Sequence, residues 1–174
     1  MSAKSLIRAI DTLNEWVGSH TAYLILPIIG IISYEVVARF VFNAPTIWAG
    51  DVTTIVYGIL VSLVGGYALL HDGHVRVDIL FERLTPRGKA AMDVITAPLA
   101  FIFAVSLLWS TSKVAVEATA SKEVLNTVFE PPMYPLRIIL ALGVLLICLQ
   151  MVAKLLHNIR TTQQSGAGAS ITGE

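Results

Sequence analysis

The chain has 174 residues, of which 55% are hydrophobic and only 14% charged, with a formal net charge of zero and a mean hydropathy of +0.74. A soluble domain carries roughly 25% charge; the charge missing here leaves long apolar runs, each able to supply the ~20 residues a helix needs to cross ~30 Å of hydrocarbon. The balance excludes a broad nucleic-acid-binding face, which needs Lys and Arg clustered on one surface, and the single cysteine, Cys148, excludes an intrachain disulfide or a CxxC zinc site.

In chain order, residues 1–20 place Leu6, Ile10, Leu13 and Val17 at spacings of three and four, with Lys4, Arg8, Asp11 and Glu15 on other faces. The pattern predicts a short amphipathic helix at a membrane surface. A cleaved signal peptide sets its apolar core directly behind a basic start and ends on a small-residue site. Here acidic residues intervene and the apolar run begins only near Thr21, so the segment is expected to be retained. A first span follows from Thr21 to Phe42 and a second from Gly50 to Leu70; the Asn43–Ala49 link between them, with Pro45 and Trp48, is short enough to demand an antiparallel hairpin. A third span begins near Ala91 and continues past Trp109 toward Thr119, longer than a bilayer requires, which implies tilt or protrusion. A fourth covers Met133 to Leu156, and the small polar stretch 161–174 reads as a disordered cytoplasmic tail. The expected fold is thus an all-α integral membrane protein: an interfacial helix over 1–20, a four-helix transmembrane domain over 21–160 with a further short interfacial helix in its 71–90 loop, and a tail.

Orientation follows from Lys and Arg. Eight of the twelve lie in the N-terminal segment (Lys4, Arg8), the 71–90 loop (Arg76, Arg83, Arg87, Lys89) and the C-terminal end (Lys154, Arg160), against Arg39, Lys113, Lys122 and Arg137 on the other side. The positive-inside rule places both termini and that loop in the cytoplasm.

Gly50, Thr54, Gly58, Ser62 and Gly66 recur every four residues along the second span, a small-residue face on which helices approach closely. It serves either packing within this chain's own bundle or docking on another membrane subunit. Glu35 and Arg39, four apart, pair on one face of the first span, with the acid N-terminal as the better order requires; the hairpin is expected to bring Asp51 near Arg39 as well. After the second span, Ile79, Leu80, Phe81 and Leu84 mixed with Glu82, Arg83 and Arg87 predict a surface amphipathic helix. The four histidines, His20, His71, His74 and His157, all fall at cytoplasmic ends, which raises a haem-binding alternative, but no spacing forces two of them to face one another. HExxH, GxSxG and phosphate-cradling GxxxxGK[ST] patterns are absent, as are paired broken helices of a substrate-carrying core. No catalytic residue, cofactor or metal is assigned.

The run Glu35-Val-Val-Ala-Arg39-Phe-Val-Phe-Asn43-Ala-Pro45-Thr-Ile-Trp48, followed by Gly66-Tyr67-Ala-Leu-Leu-His-Asp-Gly73-His74-Val-Arg76-Val-Asp78 and, more weakly, Pro132-Met-Tyr-Pro135-Leu-Arg137, resembles the small membrane subunit of tripartite ATP-independent periplasmic (TRAP) transporters. One departure stands out: the family commonly follows this tryptophan with an acidic residue or pair, whereas here Trp48-Ala-Gly50-Asp51 keeps only Asp51. The resemblance implies a non-enzymatic scaffold subunit in the bacterial inner membrane. It would pack beside a large membrane subunit that imports an organic acid, usually with sodium, from a periplasmic substrate-binding protein. It implies interface roles for Glu35, Arg39, Trp48 and Asp51 toward the periplasm and for His74, Arg76 and Asp78 toward the cytoplasm, to which the small face adds Gly58, Ser62 and Gly66. The stretch from Ser112 to Pro132, with Lys113, Glu117, Lys122 and Glu123, is a candidate contact for the periplasmic protein. The rival is a small four-helix haem redox protein, which an absorption spectrum separates at once.

Overall fold

A computed structural model of the protein describes residues 3–71 and 86–169. These residues form helices α1 (Ala3–Ala22), α2 (Ile25–Phe40), α3 (Ala49–Leu70), α4 (Pro86–Ser121) and α5 (Tyr134–Ala169). Beyond them the only β pairing among the described residues is an isolated antiparallel bridge between Val124 and Pro132. Among the described residues, four stretches are long and apolar enough to cross a membrane: Ser5–Phe40, Ala49–Leu70, Pro98–Ser121 and Tyr134–Leu156.

The first of these joins α1 to α2 through a tightened turn. Pro27 has no N–H and its ring crowds the carbonyl of Tyr23, so the α-helical ladder cannot pass through that residue. The Leu26 N–H takes the Tyr23 carbonyl instead (3.1 Å), and Leu24 N–H bonds Thr21 O (2.9 Å), both three residues back. The kink separates two different environments. α1 packs along α3 and α5, whereas α2 packs chiefly on α3 and keeps most of its apolar side chains exposed.

The buried stripe of α1 is Ile10, Asn14, Gly18 and Thr21, while Leu6 and Leu13, expected on its apolar face, are 43% and 44% exposed. The close approach that selects this stripe comes from glycine: a Cβ on Gly18 would overlap Tyr67, and one on Gly66 would overlap the Asn14 side chain.

α3 and α5 run parallel as the central pair, since Gly58 faces Leu136, Ser62 faces Gly143 and Gly65 faces Ile147 in rising order. α4 is antiparallel to α5: the buried Cys148 thiol donates to Ala104 O (3.5 Å), and farther up Ala115 and Thr119 share a groove with Ile138. α5 continues as helix through Ala169, so residues 161–169 of the expected tail carry helical backbone. Extending an existing helix costs far less than nucleating one.

α4 ends in a Schellman closure with Lys122 in the left-handed region (φ 49°): Lys122 N–H bonds Thr119 O and Glu123 N–H bonds Ala118 O (2.9 Å). The 122–133 segment then folds back on itself through Leu125 N–H to Pro131 O (2.9 Å) and Met133 N–H to Glu123 O (2.8 Å). It is a closed loop seated over the start of α3.

Candidate subunit-interface site

At the end of the bundle bearing the α2–α3 link, three acidic side chains each hold a different junction. Glu35 and Arg39 lie one helical turn apart on α2, and the guanidinium grips one carboxylate oxygen of Glu35 through Nη2 (2.5 Å) and Nε (3.1 Å). The other oxygen accepts the Thr46 backbone N–H (3.1 Å) and the Thr46 hydroxyl. Glu35, 15% exposed against 55% for Arg39, therefore carries a full set of donors and anchors the link to α2. Asn43 permits the reversal by taking the left-handed conformation (φ 49°), which its short side chain tolerates.

Asp51 sits in the first turn of α3, where the helix dipole favours an anion, and accepts the Thr127 hydroxyl at 2.6 Å. Arg137 at the start of α5 reaches Glu123 at 3.1 Å. The 122–133 loop is thereby pinned at two points, to α3 and to α5. The expected Asp51–Arg39 contact does not form an ion pair: Arg39 pairs with Glu35 of its own helix, and Asp51 accepts from Thr127 of the loop instead. The two first helices are tied by Glu35 and Thr46 rather than by a cross-hairpin ion pair. Trp48 precedes α3 and stacks on Tyr34 of α2, with ring centroids 6.2 Å apart and planes 26° apart.

The small-residue stripe divides. Gly50 faces open space, and the exposed Thr54 bonds the Gly50 carbonyl (2.9 Å). Of the two readings of Gly58, Ser62 and Gly66, packing within the bundle and docking on another subunit, the contacts follow the first: Gly58 admits Leu136, Ser62 donates to the Ile139 and Leu140 carbonyls (both 3.4 Å), and Gly66 admits Asn14. Without a hydrophobic drive between helices in lipid, such close packing is what holds a bundle together, and here it is spent on α1, α3 and α5.

At the opposite end, the Asn14 amide donates to Ile10 O (3.2 Å) and to Gln150 Oε1 (2.8 Å), and Gln150 donates onward to Asp11 (2.8 Å). Asn14 Oδ1 is buried without a hydrogen-bond partner and abuts Gly66. This network was missed at the sequence level, although Asn14 within an apolar stripe and Gln150 inside the last apolar run were its visible traces. His71 Nε2 pairs with Glu15 (2.7 Å) and the His20 ring nitrogen meets Trp16 O (2.8 Å). Among the described residues, no three His, Cys, Asp or Glu side chains gather as a metal site. His74, Arg76 and Asp78, and the amphipathic stretch from Ile79 to Leu84, lie outside the described residues.

Comparison with curated proteins gives no match. Residues 28–161 match a family model described as the DctQ component of tripartite ATP-independent periplasmic transporters.

Proposed function

Because the chain belongs to the DctQ family, the small membrane component of TRAP transporters, we propose that it is the scaffold subunit of a secondary importer of an organic acid, coupled to sodium. Its partners in this reading are a large membrane subunit, a periplasmic substrate-binding protein and the lipid of the bacterial inner membrane. Both termini lie in the cytoplasm, in keeping with eight of twelve Lys and Arg on that side, so the link end faces the periplasm. The substrate and ion sites belong to the large subunit.

The observation that carries the scaffold role is the internal use of small residues: Gly18, Gly66 and Gly143 let α1, α3 and α5 approach until a single Cβ would collide. Such a bundle is built to stay rigid while a neighbour moves. Glu35, Arg39, Trp48 and Asp51 shape its periplasmic rim, and the pinned 122–133 loop offers Val124, Val128 and Phe129, 52%, 84% and 43% exposed, toward the soluble component. Exposed apolar groups on a held loop suit a docking surface. His74, Arg76 and Asp78 serve the cytoplasmic side.

A detergent pull-down of the tagged chain from its native membrane, with mass spectrometry, tests the reading. One much larger polytopic protein is expected in equal amount; recovery of the chain alone, or only with its own copies, defeats it.

A further inference from the structure

α4 carries a polar row that its own bundle does not use. Ser106, Ser110, Lys113 and Glu117 follow at spacings of four, three and four, which stacks them on one helical face, and all four are exposed. The opposite face holds the buried Ala104, Ala115 and Ala118. Among the described residues neither Lys113 nor Glu117 enters an ion pair, and the Ser106 and Ser110 hydroxyls have no hydrogen-bond partner. Trp109, beside the row, is 78% exposed.

The level of these residues in the bundle makes the row informative. Ala104 stands at Cys148 and Ala115 at Ile138, so Lys113 is level with the α5 stretch just past Ile138. That same stretch supplies the Ile139 and Leu140 carbonyls that Ser62 approaches. Ser62 lies past the middle of the 22-residue α3, about 20 Å of helix from Ala49. Within its own span, Pro98–Ser121, Lys113 lies about 12 Å of helix inside the Ser121 end, so it stands within the span rather than at its edge, and Ser110 and Ser106 lie farther still from the link end.

Hydrocarbon offers an ammonium, a carboxylate or a hydroxyl nothing to bond. A second copy of this chain fits no better. Copies share one orientation in a membrane, so a two-fold axis along the normal sets Lys113 against Lys113 and Glu117 against Glu117, like charges that repel. The row needs a different helix, with an acid at the level of Lys113, a base at the level of Glu117 and acceptors below them. We infer that this face of α4 seats against a polar transmembrane face of the large membrane subunit, with Trp109 as the apolar anchor at its edge. The inference rests on the scaffold reading. It also separates Lys113 and Glu117 from Lys122 and Glu123, which the sequence groups together as contacts for the soluble protein.

The test places a photo-crosslinking amino acid at position 110 or, as control, at position 142 of α5, where Leu142 is 50% exposed, in cells expressing the whole transporter. Large subunit retained on the tagged chain, with crosslinks to it strong from position 110 and weak from 142, is the expected result. Retention with position 110 crosslinking only lipid, or only a second copy of this chain, overturns the face assignment and leaves the scaffold reading standing. Loss of the large subunit from the unsubstituted chain overturns both. In parallel, Lys113→Glu should lower the retained large subunit about tenfold while Lys113→Arg keeps it, as for a partnered charge; equal retention by both variants overturns the charge pairing.

Discussion

The Asn14 carboxamide of α1 donates to the side-chain oxygen of Gln150 on α5 across 2.8 Å, although the two residues are 136 positions apart. This bond, extended by Gln150 to Asp11, sets both the rotation and the height of α1 against the bundle. Breaking it leaves a buried amide without its partner. Asn14→Ala and Gln150→Ala should each destabilise the bundle by about 1 kcal/mol, with a coupling of roughly 0.6 kcal/mol in the double variant, the scale of interhelical hydrogen bonds in membranes. Reversible unfolding in mixed micelles measures the cycle; strictly additive losses would mean that the bond carries no energy.

Two glycines on facing helices should respond in opposite ways. A Cβ on Gly143 would run into the Ser62 backbone, which cannot step aside, whereas a Cβ on Gly50 meets nothing within 4 Å. Gly143→Ala is expected to cost about 1–3 kcal/mol through forced separation of α3 and α5. Gly50→Ala, in the first turn of α3, should gain up to about 0.5 kcal/mol, less than the full helix-interior difference. Thermal aggregation midpoints of the two variants, compared with the parent, decide the matter.

Thr127→Val removes the donor that holds the 122–133 loop on Asp51. A hydrogen bond to a carboxylate is worth about 1.5–3 kcal/mol, so amide exchange at Leu125 and Met133, whose N–H groups close the loop, should quicken on the order of tenfold or more. Amides in the middle of α3 should keep their rates. Unchanged loop exchange would show that the backbone closure and the Arg137–Glu123 pair hold the loop unaided.

Thr46→Val takes a hydroxyl from Glu35 but leaves the Arg39 pair and the Thr46 backbone N–H in place. Glu35→Ala removes all of these contacts at once. Retention of the large subunit should fall mildly in the first variant and severely in the second, because Arg39 then loses its charge partner within the span. Quantitative pull-down ranks them, and an inverted order would remove Glu35 from the rim proposed to meet the partner.

Much of the architecture was legible in the residues. Hydropathy places the second span at Gly50 to Leu70 and α3 is Ala49–Leu70; it starts the fourth at Met133 and α5 begins at Tyr134. These boundaries are visible because hydropathy and helix-breaking residues belong to a segment whatever its neighbours are. The Glu35–Arg39 pair was legible for the same reason, since four residues of helix bring its members together. The pairing of Asp51 was not. Its partner depends on where a loop 76 residues away comes to rest, and proximity across the hairpin pointed to Arg39 instead.

By itself, then, the sequence determined that four apolar stretches seek lipid, which end of the bundle carries most of the positive charge, and which family the motifs resemble. The tertiary structure decided how those stretches are rotated and how high each one stands. It decided that Gly58, Ser62 and Gly66 are used within the chain, that Asn14 meets Gln150, and that the Lys113 row is left facing outward. The division has a simple physical basis. Transfer into hydrocarbon is a sum over a segment's own residues, whereas packing and hydrogen bonding in lipid depend on the register between helices, which no single segment contains.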